Sequence, residues 1–175
     1  MSLLKLEKIA AKFLNHQVKL VLAESCTWGL VSKTFTDIPG SSAWFDSGFV
    51  TYSNNSKINL LQVSPNALEK FGAVSQEIAN AMALGAEANS SANFSIAITG
   101  IAGPGGGTKS KPVGTVFICF VYQKKIIHEY HLSLSGTREE IRMGTLNFII
   151  SELDKLTFNI QIWNNYKSNS QITES

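Results

Sequence analysis

Apolar positions recur along the chain with two periods, and together they divide it into alternating helices and strands. Leu3, Leu6, Ile9, Ala10, Phe13 and Leu14 share one face at helical spacing and predict an amphipathic helix over Leu3–His16. Val18–Ala23 is a continuous apolar run broken only by Lys19, the signature of a buried strand. Trp28–Phe35 returns to helical spacing, with Ser25 or Thr27 placed to cap it. Phe45–Ser53 is of strand type, and Ser56–Leu61 is a short helical piece. Ser64 followed by Pro65 predicts a helix over Pro65–Phe71, proline being favoured at the first helical position. Ser75 opens a helix running to Asn89, with Ile78, Ala79, Met82 and Ala86 as its buried stripe. Phe94–Thr99 is a second buried strand. Val113–Tyr122 and Lys125–Leu134 predict an antiparallel hairpin that turns at Gln123-Lys124. Thr137-Arg138-Glu139-Glu140 matches a capping box and opens a helix that buries Ile141, Leu146, Ile149 and Leu153.

Strands and helices alternate first and a hairpin comes late. The order predicts an α/β fold, a single three-layer α/β/α domain with a mixed β-sheet. The domain is expected over 1–157, followed by a polar tail over 158–175 in which Asn, Ser, Gln and Lys dominate and order is expected to fray.

Composition narrows the function classes. A hydrophobic share of 44% and a charged share of 16% belong to a globular chain. The net charge of +2 comes without a basic block, which weakens a nucleic-acid reading. Cys26 and Cys119 give neither a disulfide framework nor a zinc pattern. No apolar run reaches the ~20 residues of a membrane span, and Lys5, Glu7, Lys8 and Lys12 interrupt the N-terminal segment as no signal peptide would allow. The expected location is the cytoplasm.

Candidate chemistry gathers in a few segments. Gly100–Gly107 leaves the end of a predicted strand, where open α/β sheets place ligands. It lacks Gly-Lys-Ser/Thr and runs on to a strand, so it is neither a Walker loop nor a dinucleotide fingerprint. A phosphate-binding nest and a plain solvent loop both remain open for it. Ser25, Cys26 and Thr27 follow the first strand and serve either as a ligand-binding helix start or as ordinary caps. Arg138 and Arg142 lie four apart on one helix face and either grip a phosphate or form surface charge. His16, His128 and His131 form no metal spacing.

Ser42 and Lys57 flank the strand-type segment Phe45–Ser53. A serine nucleophile without histidine needs a neutral lysine, its pKa lowered to roughly 7–8 by burial or neighbouring charge. A straight strand between them would hold them more than about 20 Å apart. They meet only if the chain bends back or if a second subunit supplies one of them.

Several motifs together resemble one known family. Ala23-Glu24-Ser25-Cys26-Thr27, Gly40-Ser41-Ser42-Ala43-Trp44-Phe45, Gly48-Phe49-Val50-Thr51-Tyr52-Ser53-Asn54, Gly72-Ala73-Val74-Ser75, Thr99-Gly100-Ile101-Ala102-Gly103-Pro104 and Lys111-Pro112-Val113-Gly114-Thr115-Val116 occur in the order seen in the CinA C-terminal domain family. That family includes stand-alone nicotinamide-nucleotide amidohydrolases, the NMN deamidases. The resemblance spans Leu3–Leu156 and does not extend to the nucleotide-pyrophosphatase domain of longer members.

It implies hydrolysis of nicotinamide mononucleotide to nicotinic acid mononucleotide and ammonia, within pyridine nucleotide salvage. By the same resemblance Ser42 is the nucleophile, Lys57 its general base and Tyr52 a hydrogen-bonding assistant. Ser25, Thr27, Thr99, Gly100, Gly103 and Arg138 are implied to hold the ribose phosphate. No metal, organic cofactor, nucleic acid or membrane partner is implied, and a homo-oligomer, in the simplest case a dimer, is the expected assembly. Trp28 departs from the family pattern, which carries glycine there, and Gly105 departs from a position that is often acidic. The competing expectation is a non-catalytic nucleotide-binding or competence- and damage-linked adaptor on the same fold.

Overall fold

In a computed structural model, which describes residues 3–158, five strands form one sheet in the order β2-β1-β3-β4-β5. β1 (Leu20–Glu24) is flanked by β2 (Phe45–Val50) and β3 (Phe94–Gly100), both parallel to it. β4 (Thr115–Tyr122) and β5 (Lys125–Ser133) continue the sheet antiparallel. Gln123 and Lys124 both take positive φ, which suits a tight two-residue hairpin turn. The mixed sheet and its hairpin agree with the sequence pattern. The polar tail expected over 158–175 lies, from 159 onward, outside the described residues.

Side chains alternate along β1 and separate two cores. Leu20 and Leu22 pack with α1 (Leu3–Asn15), α2 (Leu30–Thr36) and α6 (Arg138–Phe158). Val21 and Ala23 pack on the other face with α3 (Asn54–Leu61), α4 (Pro65–Phe71) and α5 (Gln76–Ala88). The period of two along a strand is what serves both layers from one five-residue segment.

Local chemistry sets most helix starts. Ser53 and Ser75 accept hydrogen bonds from the amides of Ser56 and Ile78. The Thr137 hydroxyl accepts from the Glu140 amide, and the Glu140 carboxylate accepts from the Thr137 amide at 2.7 Å. Ile141, Leu146, Ile149 and Leu153 are all buried as the spacing predicts.

Three expectations are corrected. Leu3 and Leu14 are exposed, so the buried stripe of α1 is the narrower Leu6, Ile9, Ala10 and Phe13. β2 ends at Val50, three residues earlier than the β-type composition suggests, because the chain turns into the Ser53 cap of α3. α2 begins at Leu30 with Gly29 at its N-cap and no side-chain cap, so neither Ser25 nor Thr27 caps it. The Glu24 carboxylate takes that role from a distance, accepting from the amides of Val31 at 3.2 Å and Ser32 at 2.7 Å and from the Ser32 hydroxyl at 2.6 Å.

Candidate active site

The chain leaves β1 to reach β2 on one side and later returns to β3 on the other. The crevice beyond the carboxyl ends of β1 and β3 is therefore a topological switch point, where open α/β sheets bind ligands. The segments after β1, β2 and β3 meet there with the start of α6.

Ser25 continues the alternation of β1, its amide donating to the Ile98 carbonyl at 2.9 Å. Glu24 faces the start of α2, so Ser25 faces the opposite layer, where α3 lies. Lys57 and Leu61, four residues apart on α3, are both buried, with Lys57 only 1% exposed. The Lys57 Nζ stands 3.1 Å from Ser25 Oγ and donates to the Thr51 carbonyl at 2.7 Å and the Tyr52 carbonyl at 3.4 Å. Nζ thus donates to three acceptors, Ser25 Oγ and the two carbonyls, which matches the three N–H bonds of an ammonium. Once a proton is lost, the two carbonyls hold the remaining N–H bonds and the lone pair is left for the serine hydroxyl proton. Burial draws the Lys57 pKa from 10.5 down to about 8, opposed by the neighbouring Cys26 thiol. Among the described residues no carboxylate is bonded to Lys57, and Glu24 is committed to α2.

The expected pairing of Lys57 with Ser42 is not what the chain forms. Ser42 lies in a single 3-10 turn (Ser41–Ala43) before the amino end of β2, whereas Lys57 follows its carboxyl end. Six strand residues, about 20 Å at 3.3 Å each, stand between those ends. Lys57 reaches across the sheet edge to the neighbouring strand instead.

The other expected site residues divide. Tyr52 contributes its backbone carbonyl to Lys57, while its half-exposed ring packs edge-on against Trp28 with centroids 4.3 Å apart. Thr99 is buried and spends its hydroxyl on the Ala73 carbonyl at 2.7 Å, which ties β3 to the loop before α5. Gly100 is needed for close approach, since a Cβ there would stand 2.6 Å from the Thr115 carbonyl oxygen. The Gly103 carbonyl accepts from Arg138 at 2.9 Å. Arg142 donates from Nε and from an Nη to the Thr27 carbonyl at 3.2 and 2.8 Å. The two arginines thus pin the loops after β3 and β1 and, with Leu30, Glu139 and Met143, line a cleft of about 320 Å³. A larger cleft, about 490 Å³, opens at the opposite end of the strands, before the amino end of β3 and near Glu87 and Lys124, away from Ser25.

Ser25 and Thr27 are brought to this centre, but not as free helix-start donors: the α2 amides at Val31 and Ser32 are already taken by Glu24. The hydroxyls of Thr27 and Thr51 are buried and have no hydrogen-bond partner among the described residues. Cys26 is also buried, and burial pushes its thiol up to about 12, which leaves it protonated and a poor nucleophile. The histidines play no part here. His131 stacks on Phe117, and His128 stacks on Tyr130 of the same strand. Among the described residues no group of three or more His, Cys, Asp or Glu has the arrangement of a metal site. No helix among them is long and apolar enough to cross a membrane.

The profile of the CinA C-terminal domain matches residues 4–157. This chain belongs to the CinA C-terminal domain family. It is 50% identical over 126 residues to the nicotinamide-nucleotide amidohydrolase PncC of Enterobacter agglomerans, covering 72% of this chain and 77% of that protein. It is also 50% identical over 137 residues to a CinA-like protein of Geotalea uraniireducens, covering 78% of this chain but 32% of that protein. The chain therefore spans about a third of the length of such CinA-like relatives. Among solved structures, the competence/damage inducible protein CihA from Agrobacterium tumefaciens superposes with a TM-score of 0.79 at 39% identity, covering 87% of this chain and 95% of that one.

The importance of Ser25 was open to sequence reasoning in one respect. It follows a buried strand, and the alternation of β1 sets it on the face opposite Glu24. Glu24 itself, as the partner of α2, left no local signal.

Proposed function

We propose that this member of the CinA C-terminal domain family hydrolyses the carboxamide of nicotinamide mononucleotide to nicotinic acid mononucleotide and ammonia, a step of pyridine nucleotide salvage. The observation that carries the reading is the buried Lys57 amine 3.1 Å from the Ser25 hydroxyl at the switch point of the sheet. The name of the PncC relative, which is 50% identical over most of its length, supplies the substrate class.

In this reading the nucleophile is Ser25 rather than Ser42. Lys57 takes the hydroxyl proton as Ser25 Oγ attacks the carboxamide carbon. The tetrahedral oxyanion collapses, the C–N bond breaks, and the Lys57 ammonium returns the proton to the departing ammonia. Water, deprotonated by Lys57, then cleaves the acyl ester and frees Ser25. Backbone amides of the turn after Ser25 are the nearest candidates to stabilise the oxyanion. Arg138 and Arg142 direct positive charge at the cleft beside this turn, which suits the phosphate of the nucleotide.

The dyad is complete within one chain, so the separation of Ser42 and Lys57 no longer argues for a dimer. The adaptor reading assigns Ser25 and Lys57 no joint task, whereas a lysine buried at a cost beside a serine is the kind of group that marks a functional site. The test is ammonia release from nicotinamide mononucleotide by purified protein in the presence of chelator. Release that disappears in Ser25→Ala supports the proposal, and no release from any pyridine nucleotide leaves the adaptor.

A further inference from the structure

The segments after β1 and β2 carry two large aromatic side chains that the chemistry of Ser25 and Lys57 does not use. Trp28 and Tyr52 are 52% and 53% exposed, and their rings meet edge to face at an interplanar angle of 72°. Trp28 also has a φ of 51°, in the left-handed region. That backbone disfavours a bulky side chain and suits glycine, the residue that actually follows it at φ 80°. The chain thus carries a strained, water-exposed indole where glycine would be relaxed and soluble. Such outliers concentrate at ligand sites, where binding repays the cost.

The position of the pair points to a use. The Trp28 amide donates to the Ser25 carbonyl at 3.2 Å, closing the turn that carries the nucleophile. The Tyr52 carbonyl accepts from Lys57. Both rings therefore project from the backbone that frames the dyad. The edge-on contact engages only part of the indole and leaves it half exposed.

We propose that Trp28, steadied by Tyr52, is a specificity-determining residue that packs its indole against the planar pyridinium ring of the substrate. The inference rests on the amidohydrolase reading above. An indole face is electron-rich and an N-glycosylated pyridinium is cationic and flat, so stacking and cation–π attraction act together. An aliphatic carboxamide gains neither. The residue thus selects a heteroaromatic amide by binding its ring.

The test compares wild type with Trp28→Gly and Trp28→Phe, using ammonia release from nicotinamide mononucleotide and quenching of tryptophan fluorescence by the same nucleotide. Trp28→Gly relieves the backbone and should lose no thermal stability. Its KM should rise about 5- to 100-fold, as removal of an aromatic stacking partner does, with kcat changed by less than about threefold. Trp28→Phe should keep KM within about fivefold of wild type and lose the nucleotide-dependent quenching. An unchanged or lower KM in Trp28→Gly would overturn the proposal, since the indole would then be a bystander or an obstruction. If wild type releases no ammonia, the amidohydrolase reading fails by itself. Quenching present in wild type and absent in Trp28→Phe would then still support the stacking role, and equal quenching in both would overturn it.

Discussion

Lys57 on α3 and Ser25 at the end of β1 are 32 residues apart in sequence and 3.1 Å apart in space. The amine is fixed from behind by the carbonyls of Thr51 and Tyr52, so it has little freedom except toward the serine. Four expected outcomes bear on this relationship, and a fifth on the cap of α2.

Replacing Ser25 by Ala should lower kcat by on the order of a thousandfold or more, since the attacking atom is removed. Lys57 keeps its two carbonyl partners, so the variant should stay folded by circular dichroism. Ser42→Ala should keep activity within about threefold, because its side chain does not reach Lys57. The reverse ranking would return the nucleophile to Ser42.

Replacing Lys57 by Met preserves much of the side-chain volume and removes the base. Ammonia release should fall by roughly 10²–10⁴-fold. Lys57→Arg should fail as well, because a guanidinium does not give up its proton. An active arginine variant would exclude a neutral amine as the base.

The rate should follow the neutral fraction of Lys57. kcat/KM should rise with pH through an apparent pKa near the value of about 8 that burial imposes, then level off. Stability moves in the same direction. The lysine titrates at 10.5 when unfolded and at about 8 when folded, so in that window the unfolded chain holds more protons. Its contribution to stability is therefore complete above the unfolded value and is lost as pH falls toward 8. A pH–rate profile read beside urea midpoints across that window checks both.

Gly85→Ala should connect packing to chemistry. A Cβ at Gly85 of α5 would overlap the Leu61 carbonyl oxygen, at the end of the helix that carries Lys57. Overpacking of this kind costs about 1–3 kcal/mol. α3 must move to relieve it, so activity should fall more than Tm alone explains. A destabilised variant with wild-type kcat would separate the helix contact from the dyad.

Glu24→Gln tests the cap of α2. The carboxylate accepts three hydrogen bonds and is fully buried. An amide keeps one acceptor oxygen and places a donor against the amides of Val31 or Ser32. The expected loss is about 1–3 kcal/mol in denaturant unfolding.

What the sequence determined by itself is the set of elements and their layers. Helical spacing in Ile78, Ala79, Met82 and Ala86, the capping box at Thr137 and the apolar run ending at Ala23 are local signals, and local steric and hydrogen-bonding rules suffice to read them. The burial of Lys57 was required by the proposed chemistry but had no local sign, because α3 is short and mixed in character. Its partner was decided only by tertiary structure. Local pattern places Ser25 after a buried strand and opposite Glu24, but it does not say which of Ser25 and Ser42 meets Lys57. The ranking comes from strand order: β1 lies between β2 and β3, so a lysine following β2 reaches the end of β1 rather than the start of its own strand. Hydrogen bonding across a parallel sheet aligns residues remote in sequence, and no pattern within one segment encodes that alignment.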